Sequence, residues 1–288
     1  MDYKRTYTKS CHFQSQCTVL INMGKYFGQK KIVDDMIWSF SRYKSFVQCP
    51  RQWERAYILK DPTRIDNYYA QWGSICHQVL QEHYKGELNK GKMKDRFLDL
   101  YNATTMMPCP FKGEEKHIEA ACDYFDEFED IRKQNESLEV FAVEKELRCT
   151  INGWYWFKFI PDLLLVNRET GNFVIADHKS SDLKLGTKNK AINEKIAGYE
   201  EQLYIYSIGV QQLYGRPVEK LYINSIKGKR WLDLGFDKEK QKDAKGAFIY
   251  TVNEIAQEEK FECKPDNFMC KNLCQYRVND CPHGYFEK

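Results

Sequence analysis

The sequence predicts an α/β fold in which a mixed central sheet is flanked by helices, and three observations carry that prediction. Residues 36–136 place apolar side chains at helical spacing. Residues 138–178 change to strand-like alternation, interrupted by two turn signals, Asn152-Gly153 and Gly171-Asn172. A long helical stretch, about Glu194–Tyr214, then leads to another apolar strand, Lys220–Ile226. The order of helix, three strands, helix and strand is that of an α/β arrangement, and taken alone it is compatible with several folds.

Each element has its own signal. Ser39 and Ser41 are good N-caps for a helical segment Arg42–Leu59, which Pro50 divides into two short helices meeting at Cys49-Pro50. Further helices are expected over Tyr69–Tyr84 and about Glu114–Lys133, with a loop over Ala103–Gly113. Leu138–Ile151, Trp154–Val166 and Phe173–His178 read as a three-strand antiparallel meander. A charged helix, about Lys238–Gln257, precedes a cysteine-rich tail. Residues 1–35 show no period and read as a flexible arm or an over-long start. The rest, 36–288, reads as one domain: a helical part over 36–136, a core over 137–230, and the last helix and tail over 231–288.

The totals exclude little. Hydrophobic residues make up 42% and charged residues 30% of the 288, an ordinary globular composition. No apolar run approaches the roughly 18 residues of a membrane span, and the N-terminus lacks the apolar centre of a signal peptide. A cytoplasmic protein with no membrane partner is expected. Lys and Arg (44) nearly balance Asp and Glu (41), so a nucleic-acid binder would have to concentrate its basic residues locally. Eleven cysteines in a reducing compartment point first to metal or iron–sulfur ligation rather than disulfides.

The chemistry centres on two strand ends. Pro161-Asp162 closes one apolar strand, and after a gap of fourteen residues Asp177-His178-Lys179 closes the next. Paired as neighbours, those strands bring both carboxylates and the ammonium to one edge. Asp177 and Lys179 share a face, while the His178 side chain points the other way and leaves its carbonyl as a hard-oxygen ligand. Two close carboxylates repel unless a cation lies between them, and Mg²⁺ or Mn²⁺ suits such oxygen donors. A D-x-K alone is a common surface salt-bridge pattern. Here it ends the buried run Val174-Ile175-Ala176, which a solvated decoration would not do.

Ile160-Pro161-Asp162, the gap and Asp177-His178-Lys179 resemble the signature of the PD-(D/E)XK nuclease superfamily. Three more segments are similar to its RecB-like branch, which includes AddB-type and CRISPR-adaptation exonucleases. They are Gly73-Ser-Ile-Cys-His77, Tyr199-Glu-Glu-Gln202-Leu-Tyr-Ile-Tyr206, and Ser41–Tyr57 with its lone Cys49-Pro50. The resemblance implies a restriction-endonuclease-like core and catalytic residues Asp162, Asp177, Lys179, Gln202 and Tyr206. It implies metal ligands His77, Asp162, Asp177 and the His178 carbonyl, with Glu144 in a supporting place. Cys49, Cys270, Cys274 and Cys281 resemble the four ligands of a [4Fe–4S] staple pinning the chain ends together. The family's two and five intervening residues are here three and six, which leaves Zn²⁺ or no metal open. Cys263 stands as a substitute ligand.

The implied activity is Mg²⁺- or Mn²⁺-dependent cleavage of DNA, as an exonuclease on single strands or duplex ends, in repair, recombination, phage metabolism or CRISPR adaptation. A phosphate track is expected from Lys184, Lys188, Lys190 and Lys195, and from Lys227, Lys229 and Arg230. The sequence holds no G-x-x-x-x-G-K-[ST] loop, so unwinding would need a helicase or recombination partner. The rival readings are a catalytically silent DNA-binding module and an iron–sulfur scaffold subunit of a nuclease–helicase complex.

Overall fold

The computed structural model describes residues 31–133, 135–277, 281 and 283. Of the expected arm, 1–30 lie outside the described residues and 31–35 are helical. The first expected helix breaks where proline dictates. α1 (Phe40–Gln48) is capped by the Ser39 hydroxyl, which accepts from the Arg42 N–H at 3.3 Å. Pro50 opens α2 (Pro50–Trp53), where its missing N–H costs nothing. α3 (Tyr68–Tyr84), α4 (Met93–Ala103), α5 (Glu114–Asp126) and α6 (Phe128–Lys133) follow. The stretch Glu114–Lys133 is thus two helices, and α4 is an additional one.

The expected meander is corrected. Its first two long strands each break in the middle. Leu138–Ile151 becomes β1 (Leu138–Val143) and β2 (Leu147–Ile151), because Glu144 adopts a positive φ of 47° that no strand continues. Trp154–Val166 becomes β3 (Tyr155–Phe159) and β4 (Leu163–Asn167), divided at Pro161, which has no N–H to give a ladder. β2 and β3 form a separate two-stranded sheet across a turn where Asn152 and Gly153 both have positive φ, as a tight hairpin requires.

The main sheet has the order β1-β4-β5-β6-β7, with β5 (Phe173–Lys179), β6 (Val218–Ser225) and an additional edge strand β7 (Arg230–Asp233). β5 and β6 are parallel and the other neighbours antiparallel, so the sheet is mixed. The crossover joining β5 to β6 is α7 (Lys190–Tyr214), and α8 (Lys238–Gln257) packs against it. Strand alternation feeds two cores. Leu163, Leu165, Val174 and Ala176 face α3 to α6. Leu164, Phe173, Ile175 and Leu221 face α1, α7, α8 and the small sheet. This is the helix-flanked mixed sheet the sequence predicts. α7 lies so close to the small sheet that a Cβ on Gly209 would collide with the Phe159 ring and crowd the Cys149 sulfur.

Candidate active site

β4 and β5 run antiparallel with Leu163 opposite Ala176, which puts Asp162 and Asp177 side by side at one end of the sheet. Both are buried, at 8% and 3% exposure. Asp162 is fixed by the His178 amide N–H, which donates to its carboxylate at 2.5 Å. Lys179 forms an ion pair with Asp177, and its ammonium lies 4.6 Å from the centre of the Tyr199 ring. Gln202, one turn further along α7, joins the set. Its amide nitrogen donates to Asp177 (3.2 Å) and to the Tyr206 hydroxyl (3.0 Å), and its carbonyl oxygen accepts from Lys179 (3.3 Å). Spacing of three and four residues puts Tyr199, Gln202 and Tyr206 on one helical face, above the lysine and the carboxylate.

α3 completes the site from the other side. His77 Nδ1 lies 3.4 Å from Asp162 Oδ2. Ligand atoms of His77, Glu144 and Asp162 all fall within 4.8 Å of one another. Glu144 reaches this place through its positive φ, and its N–H donates to the Asp162 carbonyl at 3.1 Å. A glutamate in that backbone region is held at a cost of about 1–3 kcal/mol, the kind of strain that collects at functional sites. Gly73, one turn before His77, is not sterically required. A Cβ there would make an ordinary 3.7 Å contact with Ser180.

The electrostatics follow from crowding acids in a dry place. Burial, then the Asp177 charge, holds the Asp162 carboxyl well above the usual carboxylate range. The same two causes raise Glu144. Burial keeps His77 below its ordinary value, so the imidazole is neutral and can ligate a metal. Burial alone would lower Lys179, but Asp177 and Asp162 override it and keep the ammonium charged. Buried carboxylates crowded around one ammonium, beside a neutral imidazole, form a donor set that fits a hard divalent cation. The His178 side chain points into the opposite core, bonded to Asn224 at 2.9 Å and stacked on Tyr84.

Glu144 is the residue that sequence reasoning undervalued, because nothing local reveals that β1 ends in a left-handed residue. The lysine track is also redrawn. Lys229 is paired with Glu127 (2.7 Å) and Lys190 with Glu194 (3.6 Å), while Lys227 packs its ammonium 5.1 Å from the centre of the Trp72 ring. Elsewhere, Cys49, Cys263, Cys270, Cys274 and Cys281 line one cavity of ≈ 130 Å³. All five are free thiols, and Cys263 lies 3.9 Å from Cys281. Burial and Cys281 push the Cys263 thiol up to about 11.

Fold and site together define a metal-dependent nuclease class. The chain belongs to the PD-(D/E)XK nuclease superfamily, whose family model matches residues 37–281. Divalent-metal use and a DNA substrate are properties of that class. Among solved structures, the chain resembles a protein of Eubacterium rectale provisionally described as an exonuclease. That match has 16% identity, covers 91% of this chain and 92% of the other, and gives a TM-score of 0.52. The structure of SSO0001 also matches at 16% identity, covering 96% of this chain and 100% of the other with a TM-score of 0.37, and carries no argument. No curated protein matches the chain. No helix among the described residues is long and apolar enough to cross a membrane.

Proposed function

We propose that this chain hydrolyses phosphodiester bonds in DNA as an Mg²⁺- or Mn²⁺-dependent exonuclease, working on single strands or duplex ends. The observation that carries the reading is the buried set of Asp162, Asp177 and Lys179 with His77 and Glu144 closing on Asp162. His77, Glu144, Asp162 and Asp177, with the His178 carbonyl, would hold the cation, which supplies Lewis-acid polarisation of the scissile phosphate. Lys179 orients the attacking water and stabilises negative charge developing at phosphorus. Gln202 keeps that ammonium and Asp177 in register, and Tyr206 anchors Gln202.

The thiol ring supports a [4Fe–4S] cluster joining the chain ends. A single Zn²⁺ with bonds of about 2.3 Å gathers all its thiolates within about 3.8 Å of one another. Cys49, Cys270, Cys274 and Cys281 line one cavity together with Cys263, which is enough thiolate for a [4Fe–4S] cluster, and the 3.9 Å between Cys263 and Cys281 would equally suit Zn²⁺. Work in DNA repair, recombination or CRISPR adaptation alongside a cytoplasmic helicase partner fits such an end-processing enzyme that has no motor motif of its own. The test is anaerobically purified protein on end-labelled single-stranded DNA, with Mn²⁺ or with EDTA. The reading predicts metal-dependent release of label as short products. Cleavage equally fast in EDTA contradicts it.

A further inference from the structure

Two clefts open beside the carboxylates, and their linings carry opposite charge. The cleft on the His77 side, ≈ 690 Å³, is lined by Glu82, Glu87 and Glu144, with neither lysine nor arginine. The cleft on the Gln202 side, ≈ 560 Å³, is lined by Arg42, Arg148 and Lys158, with no carboxylate. Each excess is softened once from outside. Arg96 pairs with Glu82 at 2.7 Å, and Glu146 pairs with Arg148 (2.7 Å) and Lys158 (3.4 Å).

The basic cleft is also aromatic. Phe40, Tyr57 and Tyr206 line it, and the Arg42 guanidinium lies 5.2 Å from the centre of the Tyr57 ring while donating to the Ile37 carbonyl. Cations beside half-buried rings such as Phe40 and Tyr57 are what an unpaired strand requires, the first for phosphates and the second for base faces.

Resting on the nuclease reading above, we propose that the cleft between α1 and β3, walled by Arg42, Tyr57, Arg148 and Lys158, is the lane that carries single-stranded DNA to Asp177 and Lys179. The His77-side cleft offers no lysine or arginine to phosphates, so the protein's own cations hold the strand on the Gln202 side.

The test is binding of fluorescein-labelled oligo(dT) in Ca²⁺ at several salt concentrations, with intact label checked on a gel and folding checked by thermal melts. The R148A/K158A double variant changes two exposed side chains and should bind at least about tenfold more weakly at 0.1 M salt, with a log–log salt slope shallower by about 1 to 2. Tyr57→Ala should lose roughly five- to a hundredfold in affinity. Unchanged affinity and slope in these variants, with weakened binding in K184A/K188A, overturns the lane and moves the track to the loop after β5. The nuclease reading survives that outcome so long as cleavage still needs Asp177. A wild-type protein that neither binds nor cuts oligo(dT) overturns the reading beneath, and the lane falls with it.

Discussion

The carboxylate centre and the cysteine cavity are both ligand sets drawn from distant parts of the chain, but different forces assemble them. Asp162 and Asp177 are placed by the β4–β5 ladder, and Glu144 by a backbone bond to Asp162. Their positions are consequences of sheet register, fixed before any metal binds. The cysteine cavity lies between the α1–α2 junction and an irregular tail that is tied to the body by side-chain and loop contacts rather than by a strand ladder. Lys264 donates to the Val47 carbonyl at 3.1 Å, Ile65 N–H to the Gln275 carbonyl at 2.9 Å, and Arg55 lies 5.0 Å from the centre of the Tyr276 ring. One site is prebuilt by the core. The other is built from segments outside the sheets, and the proposed cluster, if bound there, would add to folding stability.

That contrast can be broken in four places. The largest effect is expected from Asp162→Ala, which should lower the cleavage rate by on the order of 10³-fold while leaving unchanged the iron bound at the proposed cluster site. A parallel loss of iron would show that the two centres are not independent. Gln202→Ala should cost roughly 10- to 100-fold in kcat with the metal requirement intact, as removal of an outer partner does. Steady-state kinetics at saturating Mn²⁺ would check it. For the proposed cluster, Cys274→Ser should bleach the visible absorption and lower Tm, by about 2–4 °C for each kcal/mol lost. It should leave Mn²⁺ affinity at the carboxylates near wild type by calorimetry. Last, Gly209→Ala should destabilise by about 1–3 kcal/mol through overpacking against Phe159. Gly73→Ala should stay within about 0.5 kcal/mol. Urea unfolding distinguishes the two.

Much of this was legible in the sequence where the signal is local. The Ser39 cap, the Pro50 break, the Asn152-Gly153 turn and the shared face of Asp177 and Lys179 all follow from one or two residues and a period. The α4 stripe of Met93, Phe97 and Tyr101 is also periodic, but it is short and lies among charges. What resisted reading is non-local. Whereas the Pro161 break was legible from the proline itself, a run of apolar and polar residues does not reveal that Glu144 turns left-handed or that β2 and β3 leave the main sheet. For the same reason Glu144 read as a supporting residue until its carboxylate was seen beside His77. The pairing of Lys229 with Glu127 was also out of reach of a sequence reading, because the two lie a hundred residues apart.

The central claim is that Asp177 and Lys179 perform the cleavage, and the most direct measurement compares wild type, Asp177→Ala and Lys179→Ala on end-labelled single-stranded DNA in Mn²⁺. Cleavage by the wild type and its loss in both variants, with melting curves that remain cooperative, is the predicted result. Cleavage persisting in both variants would contradict this placement of the active site.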